Sequence, residues 1–253
     1  MDKWSDEWKL DQLSQLRSDW NDCNRCGLSE TRNLVVFGEG HPSARIMFIG
    51  EAPGEEEDEK GIPFCGASGN LFQGFLLAAG IDKNAVFVTN ILGCRPPGNR
   101  DPQLVERDAC LERIHKLIYL IDPLLVVPVG AIALKALAKG RDWSILEKSG
   151  SLFSSAHPFF KTPGDQNGMA VPGLVFPKVD GEKRKYCLEY DMIPIVHPAF
   201  VLRNDSFDPD TNKFSTKGWA EKTGDILKSI RSLVDDLSAE HERIYQSARR
   251  QAW

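Results

Sequence analysis

The chain has 253 residues, 42% hydrophobic and 26% charged, with a formal net charge of −5. That is enough chain for one sizeable core, in the composition of an ordinary globular domain, and no apolar run approaches the ~20 residues that span a bilayer. The acidic balance argues against broad electrostatic binding of nucleic acid, although a local basic patch can still set the field at one site.

In chain order, Trp4, Trp8, Leu13, Leu16 and Trp20 recur at three- to five-residue spacing and predict an amphipathic helix over residues 1–22. A Cys23-Asn24-Arg25-Cys26 knuckle follows. Ala44–Gly50 is an apolar run ending in glycine and reads as a first buried strand. Glu51–Gly69 is a loop of glycine, proline and acids. Ser68-Gly69-Asn70 then caps a helix through Ala79, which Gly80 stops. Val86–Thr89 is the second strand, Asn90–Pro102 a proline-rich loop, and about Gln103 to Ile121 a helix. Leu124–Val129 is the third strand, with Gly130 opening a helix over Ala131–Ala138. Ile193–Val196 is the fourth strand, and it runs into His197-Pro198. A helix from about Lys217 to Leu237 follows, with residues 238–253 as a charged helical tail.

Strands alternating with helices predict an α/β fold with a parallel sheet covered on both faces. The domain is expected over residues 23–237. Ser154–Glu189 breaks the rhythm, being rich in Pro, Gly, Lys and Phe, and is expected to be an insertion. In such folds ligands bind beyond the carboxyl ends of the strands. Glu51, Asn90 and His197 all stand at those ends, so chain order alone predicts that they share one crevice.

Cys23, Cys26, Cys94 and Cys110 form one tight knuckle and two separate positions. Met1 to Lys9 is charged, with no apolar stretch of the kind a secretory signal carries, so a cytoplasmic setting is expected, in which thiols serve as metal ligands more often than as disulfides. Zinc ribbons bring two tight knuckles, and the second pair is too loose for that. The pattern suits an iron–sulfur cluster, with a zinc site or unliganded buried thiols as the alternatives. Cys65 and Cys187 read as free buried thiols.

Individual residues add chemistry. Gly50 lets the backbone approach a ligand closely, and Glu51 follows it directly. Phe64, in a loop of small residues, can stack on a planar ligand, against the plainer alternative of core packing. Asn90 carries donors and an acceptor for reading the edge of a base, against the alternative of a turn or cap. Arg95 and Arg100 flank a stiff Pro-Pro-Gly turn beside Cys94 and suit phosphate contacts. His197 is a catalytic candidate, whereas His41, His115, His157 and His241 read as structural.

Together these residues resemble the family 4 uracil-DNA glycosylases. Gly50-Glu51-Ala52-Pro53-Gly54-Glu55-Glu56-Glu57-Asp58 with Gly61-x-Pro63-Phe64-x-Gly66-x-x-Gly69 is similar to the first family motif. Thr89-Asn90-Ile91-x-x-Cys94-Arg95-Pro96-Pro97-Gly98-Asn99-Arg100-x-Pro102 is similar to the central one. His197-Pro198-Ala199-x-x-Leu202-Arg203 resembles the last, usually H-P-S-x-L-L-R. The likeness runs from about Asn21 to Leu237. Glu51, rather than leucine, is similar to family 4 and unlike family 5. Ala199 for serine and the Ser154–Glu189 insertion depart from the pattern.

The resemblance implies a three-layer α/β/α fold around a four-stranded parallel sheet. It implies hydrolysis of the N-glycosidic bond of deoxyuridine in uracil-containing DNA, leaving an abasic site; a monomer with no membrane association is expected. Cys23, Cys26, Cys94 and Cys110 would hold a 4Fe–4S cluster. Glu51 and His197 would be catalytic. Gly50, Ala52, Phe64 and Asn90 would bind uracil, and Glu57 would crowd C5 of the base. Arg95, Arg100 and Arg203 would hold phosphate, while Val201 and Leu202 wedge into the minor groove. The rival readings are a glycosylase-fold DNA-binding accessory protein without activity, and a glycosylase for hypoxanthine or xanthine.

Overall fold

In the computed structural model the described residues are 5–138, 143–158, 187–208, 213–215 and 218–251. Trp4 and most of the Ser154–Glu189 segment lie outside them. So do the side chains of His157, Cys187 and His241.

The strands are β1 Glu39–Gly40, β2 Ile46–Gly50, β3 Val86–Asn90, β4 Leu125–Pro128, β5 Phe153–Pro158 and β6 Cys187–Met192, in the spatial order β1-β3-β2-β4-β6-β5. The four inner strands, β3, β2, β4 and β6, are parallel, as alternation of strands and helices predicts. The sheet is wider than the expected four strands, because β1 adds antiparallel to β3 at one edge and β5 antiparallel to β6 at the other. Two residues of β1 carry no periodic signal, which is why the sequence hides that strand. β5 and β6 bracket the segment read as an insertion, so its two ends belong to the sheet.

The fourth strand also begins earlier than expected. Its ladder with β5 spans Cys187–Met192, and Ile193–Ile195 continues beside β4, with Ile193 N donating to Val126 O at 3.2 Å and Ile195 N to Pro128 O at 2.9 Å. Pro194 lacks an N–H, which interrupts the regular pairing there.

Every residue of β2 is buried, because both faces of the sheet are covered. Met47 and Ile49 point into one core with Leu13, Leu16 and Trp20 of α1 (Asp6–Asn21) and Ile114, Leu117 and Ile121 of α4 (Leu104–Ile121). Ile46 and Phe48 point the other way. They meet Phe72 and Leu76 of α3 (Ala67–Ala78), Val201 of α7 (Pro198–Asn204), and Leu227 and Ile230 of α8 (Trp219–Gln251). The two-residue side-chain alternation of a strand thus feeds two separate cores. Helix α8 is one continuous helix through the charged region read as a tail.

The remaining helices are α2 Glu55–Lys60, α5 Ala131–Leu137 and α6 Ile145–Lys148, and β7 Ser206–Asp208 pairs with β8 Lys213–Ser215. Among the described residues no helix is long and apolar enough to cross a membrane.

Candidate active site

The carboxyl ends of β2, β3 and β4, together with the segment after β6, open onto one cleft of about 540 Å³. Glu51, Ala52, Glu57, Phe64, Asn90, Arg100, His197 and Arg203 all line it, although they come from five separate stretches of chain. Beyond β2, Ile91 N donates to Gly50 O at 2.9 Å and Leu92 N to Glu51 O at 3.0 Å. These bonds carry the β2–β3 pairing past the sheet and fix Glu51 against Asn90.

Gly50 does not line the cleft; it makes room for residues that do. A Cβ on Gly50 would collide with Oδ1 of Asn90 and stand 2.8 Å from Cζ of Phe64. Phe64 sits at φ 54°, unusual for a bulky side chain, and its ring packs 5.0 Å from that of Phe72. Its carbonyl presses on Gly69 so closely that no side chain fits there. Small residues on both sides therefore allow the aromatic ring to approach the amide.

The electrostatics of the two catalytic candidates diverge. Burial pushes the Glu51 carboxyl up to about 7; the charge of Asp101 adds to that shift and Arg203 opposes it. Burial pulls the His197 imidazole down to about 4, with Arg203 acting in the same direction. His197 is therefore neutral at pH 7. Its Nδ1 accepts from Ala199 N at 3.2 Å at the start of α7, so the ring proton is on Nε2. A neutral N–H donor and a carboxylate that is half-ionised near neutrality thus share one cleft.

Several expected contacts are placed differently. Val201 is fully buried in the core, while Leu202 is exposed, because successive helical residues turn to different faces. Val201 therefore cannot act as a wedge, and Leu202 is the apolar side chain left at that surface. Arg100 clamps Glu106 with both terminal nitrogens, at 2.9 and 2.6 Å, and Glu106 also caps α4 by accepting from Gln103 N. Arg95 is held by Asn99 at 2.8 Å and Glu55 at 3.1 Å. Both guanidiniums are partnered within the protein, so they are not the free phosphate hooks that the sequence indicates. Glu57 is buried, and its carboxylate accepts from Gly54 N at 3.1 Å and Gly66 N at 3.0 Å. It ties the Phe64 loop to the start of α2, and its oxygens are committed to that loop.

Gly130 and Asp101 also line the cleft, and sequence reasoning did not single them out. Gly130 has φ 97°, and a Cβ there would stand 3.1 Å from Cβ of His197. A glycine directly after the third strand was the available signal. Asp101 had none, since its effect on Glu51 depends on folding.

On the α1/α4 side of the sheet, Cys94 and Cys110 are buried, and Cys23 and Cys26 pack against the same core half-buried. Arg32 Nη1 donates to Cys94 Sγ at 3.6 Å and to Cys23 O at 2.6 Å. Burial raises the Cys94 thiol to about 11, Arg32 favours its thiolate, and Cys110 and Cys23 oppose ionisation. Cys110 is raised for the same first reason, while Arg113 and a Gly93 backbone hydrogen bond favour its thiolate. The four cysteines thus share one core, and Cys94 and Cys110 lie beside donors that stabilise sulfur anions. Among the described residues no group of three or more Cys, His, Asp or Glu is arranged to hold a metal ion. An all-sulfur donor set is of the kind that holds iron–sulfur centres.

The Uracil DNA glycosylase superfamily matches the chain over residues 37–221, a span that holds the whole cleft but begins after the Cys23–Cys26 knuckle. The Type-4 uracil-DNA glycosylase of Thermotoga maritima is 36% identical over 184 residues, 73% of this chain and 80% of that protein. That of Pyrobaculum aerophilum is 33% identical over 201 residues, 79% of this chain and 90% of that protein. That of Sulfurisphaera tokodaii is 36% identical over 165 residues, 59% of this chain and 75% of that protein. With the superfamily match spanning most of the folded core and relatives of this identity covered over most of their length, the chain belongs to the uracil-DNA glycosylase superfamily.

Proposed function

We propose that the chain is a uracil-DNA glycosylase of DNA repair, hydrolysing the N-glycosidic bond of deoxyuridine in DNA to release uracil and leave an abasic site. The observation that carries this reading is the convergence of Glu51, Phe64, Asn90 and His197 in one cleft at the carboxyl end of the sheet. A base inside a duplex is out of reach, so the nucleotide turns out of the stack into the cleft at a cost of ~ a few kcal/mol. Phe64 stacks on the uracil, and the Asn90 amide accepts from N3–H and donates to O4. As the bond between N1 and C1′ breaks, its electron pair leaves with uracil and the sugar becomes cationic. The Nε2–H of neutral His197 donates to O2 of the departing anion. Water adds its oxygen to C1′ and gives up a proton to solvent, and the released uracil anion takes one up, so that the products are uracil and the abasic sugar.

A carboxylate beside the sugar can hold that water or stabilise the cation, and both tasks require Glu51 ionised. With the Glu51 acidity near 7, single-turnover excision is expected to climb about tenfold per pH unit below that point and to level above it. In Glu51→Gln the rate should be low and flat across the range; an unchanged acid limb in that variant would assign the titration elsewhere. The same shift acts on stability. The folded-state value lies above the usual 4.5, so the native state bears an increasing penalty as pH rises from 4.5 through 7. Glu51→Gln should therefore raise the melting temperature at pH 8 and leave it unchanged near pH 4, which calorimetry reads directly.

Asn90 sets the choice of base. Cytosine offers an unprotonated N3 and an amino donor, so an amide fixed for uracil leaves buried polar groups unpaired at about 1–3 kcal/mol each. Asn90→Asp removes the donor. Uracil excision should fall by roughly ten- to a hundredfold, the rate equivalent of that energy. Wild-type excision by the variant would show that Asn90 does not read the base.

The four cysteines are assigned to a 4Fe–4S cluster. Bound there, it would cross-link three chain segments: the knuckle after α1, the Cys94 loop and α4. The soft all-thiol donor set and the relatives named Type-4 support this reading. The protein is taken to act as a cytoplasmic monomer on DNA. The direct test is incubation with a uracil-containing oligonucleotide, then alkali: cleavage at uracil is expected, and no cleavage by folded, iron-loaded protein would refute the reading.

A further inference from the structure

Arg113 is fully buried. It lies on α4 one turn after Cys110, and its side chain runs beneath the end of β3. Nη1 donates to Phe37 O at 2.6 Å and to Thr89 Oγ1 at 3.0 Å. Nη2 donates to Asn90 O at 2.6 Å and to Ile91 O at 3.2 Å. Nε is buried without a partner and faces Gly93, 3.5 Å from where a Cβ on that residue would stand. The orphan donor thus points to the Gly93–Cys94 step.

A buried guanidinium with no counter-ion is costly, and loss of one partner of a buried pair typically costs several kcal/mol. Among the described residues no carboxylate pairs with Arg113. The ionisable groups that act on it are the thiols of Cys110, Cys94 and Cys23, which would become thiolates on binding a metal centre. Its countercharge is therefore on the cysteine side, while its forked donors are spent on the backbone that presents Asn90. Arginine suits this double task because its planar group remains charged and holds several acceptors at once.

We propose that Arg113 is a positioning residue that couples the four-cysteine centre to base recognition: it is the buried countercharge of the centre, and it fixes the main chain of Asn90 in the register that reads uracil. The inference rests on the proposed cluster and glycosylase readings. It goes beyond them in tying the main chain of Asn90, through one buried side chain, to the segments that carry Cys94 and Cys110. β3 ends in Asn90, and Arg113 joins that end to the core that holds the cysteines.

The test compares Arg113→Lys and Arg113→Met in the full, iron-loaded chain. Lysine keeps the charge but has no planar fork; methionine keeps neither. Three quantities are read: the reduction potential of the centre, the NMR shift of the Asn90 side-chain amide, and single-turnover excision beside affinity for uracil DNA. In Arg113→Lys the potential should stay near the wild-type value, while the Asn90 amide shifts and excision falls about ten- to a hundredfold, the scale for a misplaced reacting geometry. DNA affinity should change less than about threefold, because phosphate contacts dominate it.

In Arg113→Met the potential should also move to more negative values, since a nearby positive charge favours the added electron. If that variant does not fold, Arg113→Gln takes its place as the uncharged variant for the potential, and Arg113→Lys still decides the coupling. An unshifted Asn90 amide with wild-type excision in Arg113→Lys overturns the coupling. An unchanged potential in folded Arg113→Met, or a wild-type chain that binds no iron, overturns the countercharge. If the wild-type chain excises no uracil, the glycosylase reading fails by itself, and the potential and the amide shift still decide this one.

Discussion

His197→Ala is expected to lower the single-turnover rate of uracil excision by about 10²–10³, the scale for removing one preorganised donor from a developing oxyanion. The structure makes the donor specific. Nδ1 is occupied by the Ala199 amide, so Nε2–H is the only proton the neutral ring presents to the cleft. The lowered pKa means that this ring is uncharged near neutral pH. A neutral donor can stabilise the uracil anion without first binding a proton, and catalysis should show no loss as pH rises through the ordinary histidine range. Affinity for uracil-containing DNA should change much less, since backbone contacts supply most of it. His197→Gln should recover part of the lost rate, because its amide N–H reaches the same region. If His197→Ala excises within about threefold of wild type, the ring is only the cap of α7, and the departing base is stabilised by something else.

Acid sensitivity offers an independent check on the same ring. An unfolded histidine takes up its proton near 6.5, whereas the folded one waits until about 4. The stability that His197 contributes is therefore intact above 6.5 and is lost as pH falls through 4. That loss should disappear in the alanine variant.

Cys94→Ala is expected to abolish the brown colour of the purified protein, to remove its bound iron and to leave much of it insoluble. Cys94 is buried, with its thiol pushed up to about 11. Without a metal it remains a neutral thiol; a bound iron centre holds it as thiolate, so metal binding and folding are coupled. Losing a cross-link among three chain segments should cost about 2–5 kcal/mol, the scale known for a structural disulfide. Cys65→Ala should keep both colour and iron, because Cys65 belongs to the Phe64 loop, on the opposite side of the sheet core from the four clustered thiols. A colourless wild-type protein carrying one zinc would refute the iron–sulfur assignment, and retention of iron by Cys94→Ala would remove Cys94 from the ligand set.

The sequence by itself determined the inner architecture and the membership of the site. A strand buried on both faces must be apolar at every position, so Ile46–Gly50 and Leu125–Pro128 were legible without any fold in hand. Chain order puts Glu51, Asn90 and His197 at strand ends, and parallel strands bring such ends to one side of a sheet. What it could not supply was any quantity that depends on neighbours distant in sequence. The edge strands β1 and β5 are short or lie in a segment without periodic pattern, so only pairing with β3 and β6 identifies them.

The roles of the charged residues were decided at the same level. Arg95 and Arg100 read as free cations in the sequence, and only the folded loop shows Glu55 and Glu106 against them. Val201 and Leu202 are adjacent apolar residues of equal appeal, and the docking of α7 buries one and exposes the other. Most of all, the divergent acidities of Glu51 and His197 come from burial and from Asp101 and Arg203. Residue types and strand order are local properties and survive in the sequence, whereas desolvation and charge proximity exist only once the chain has closed around the cleft.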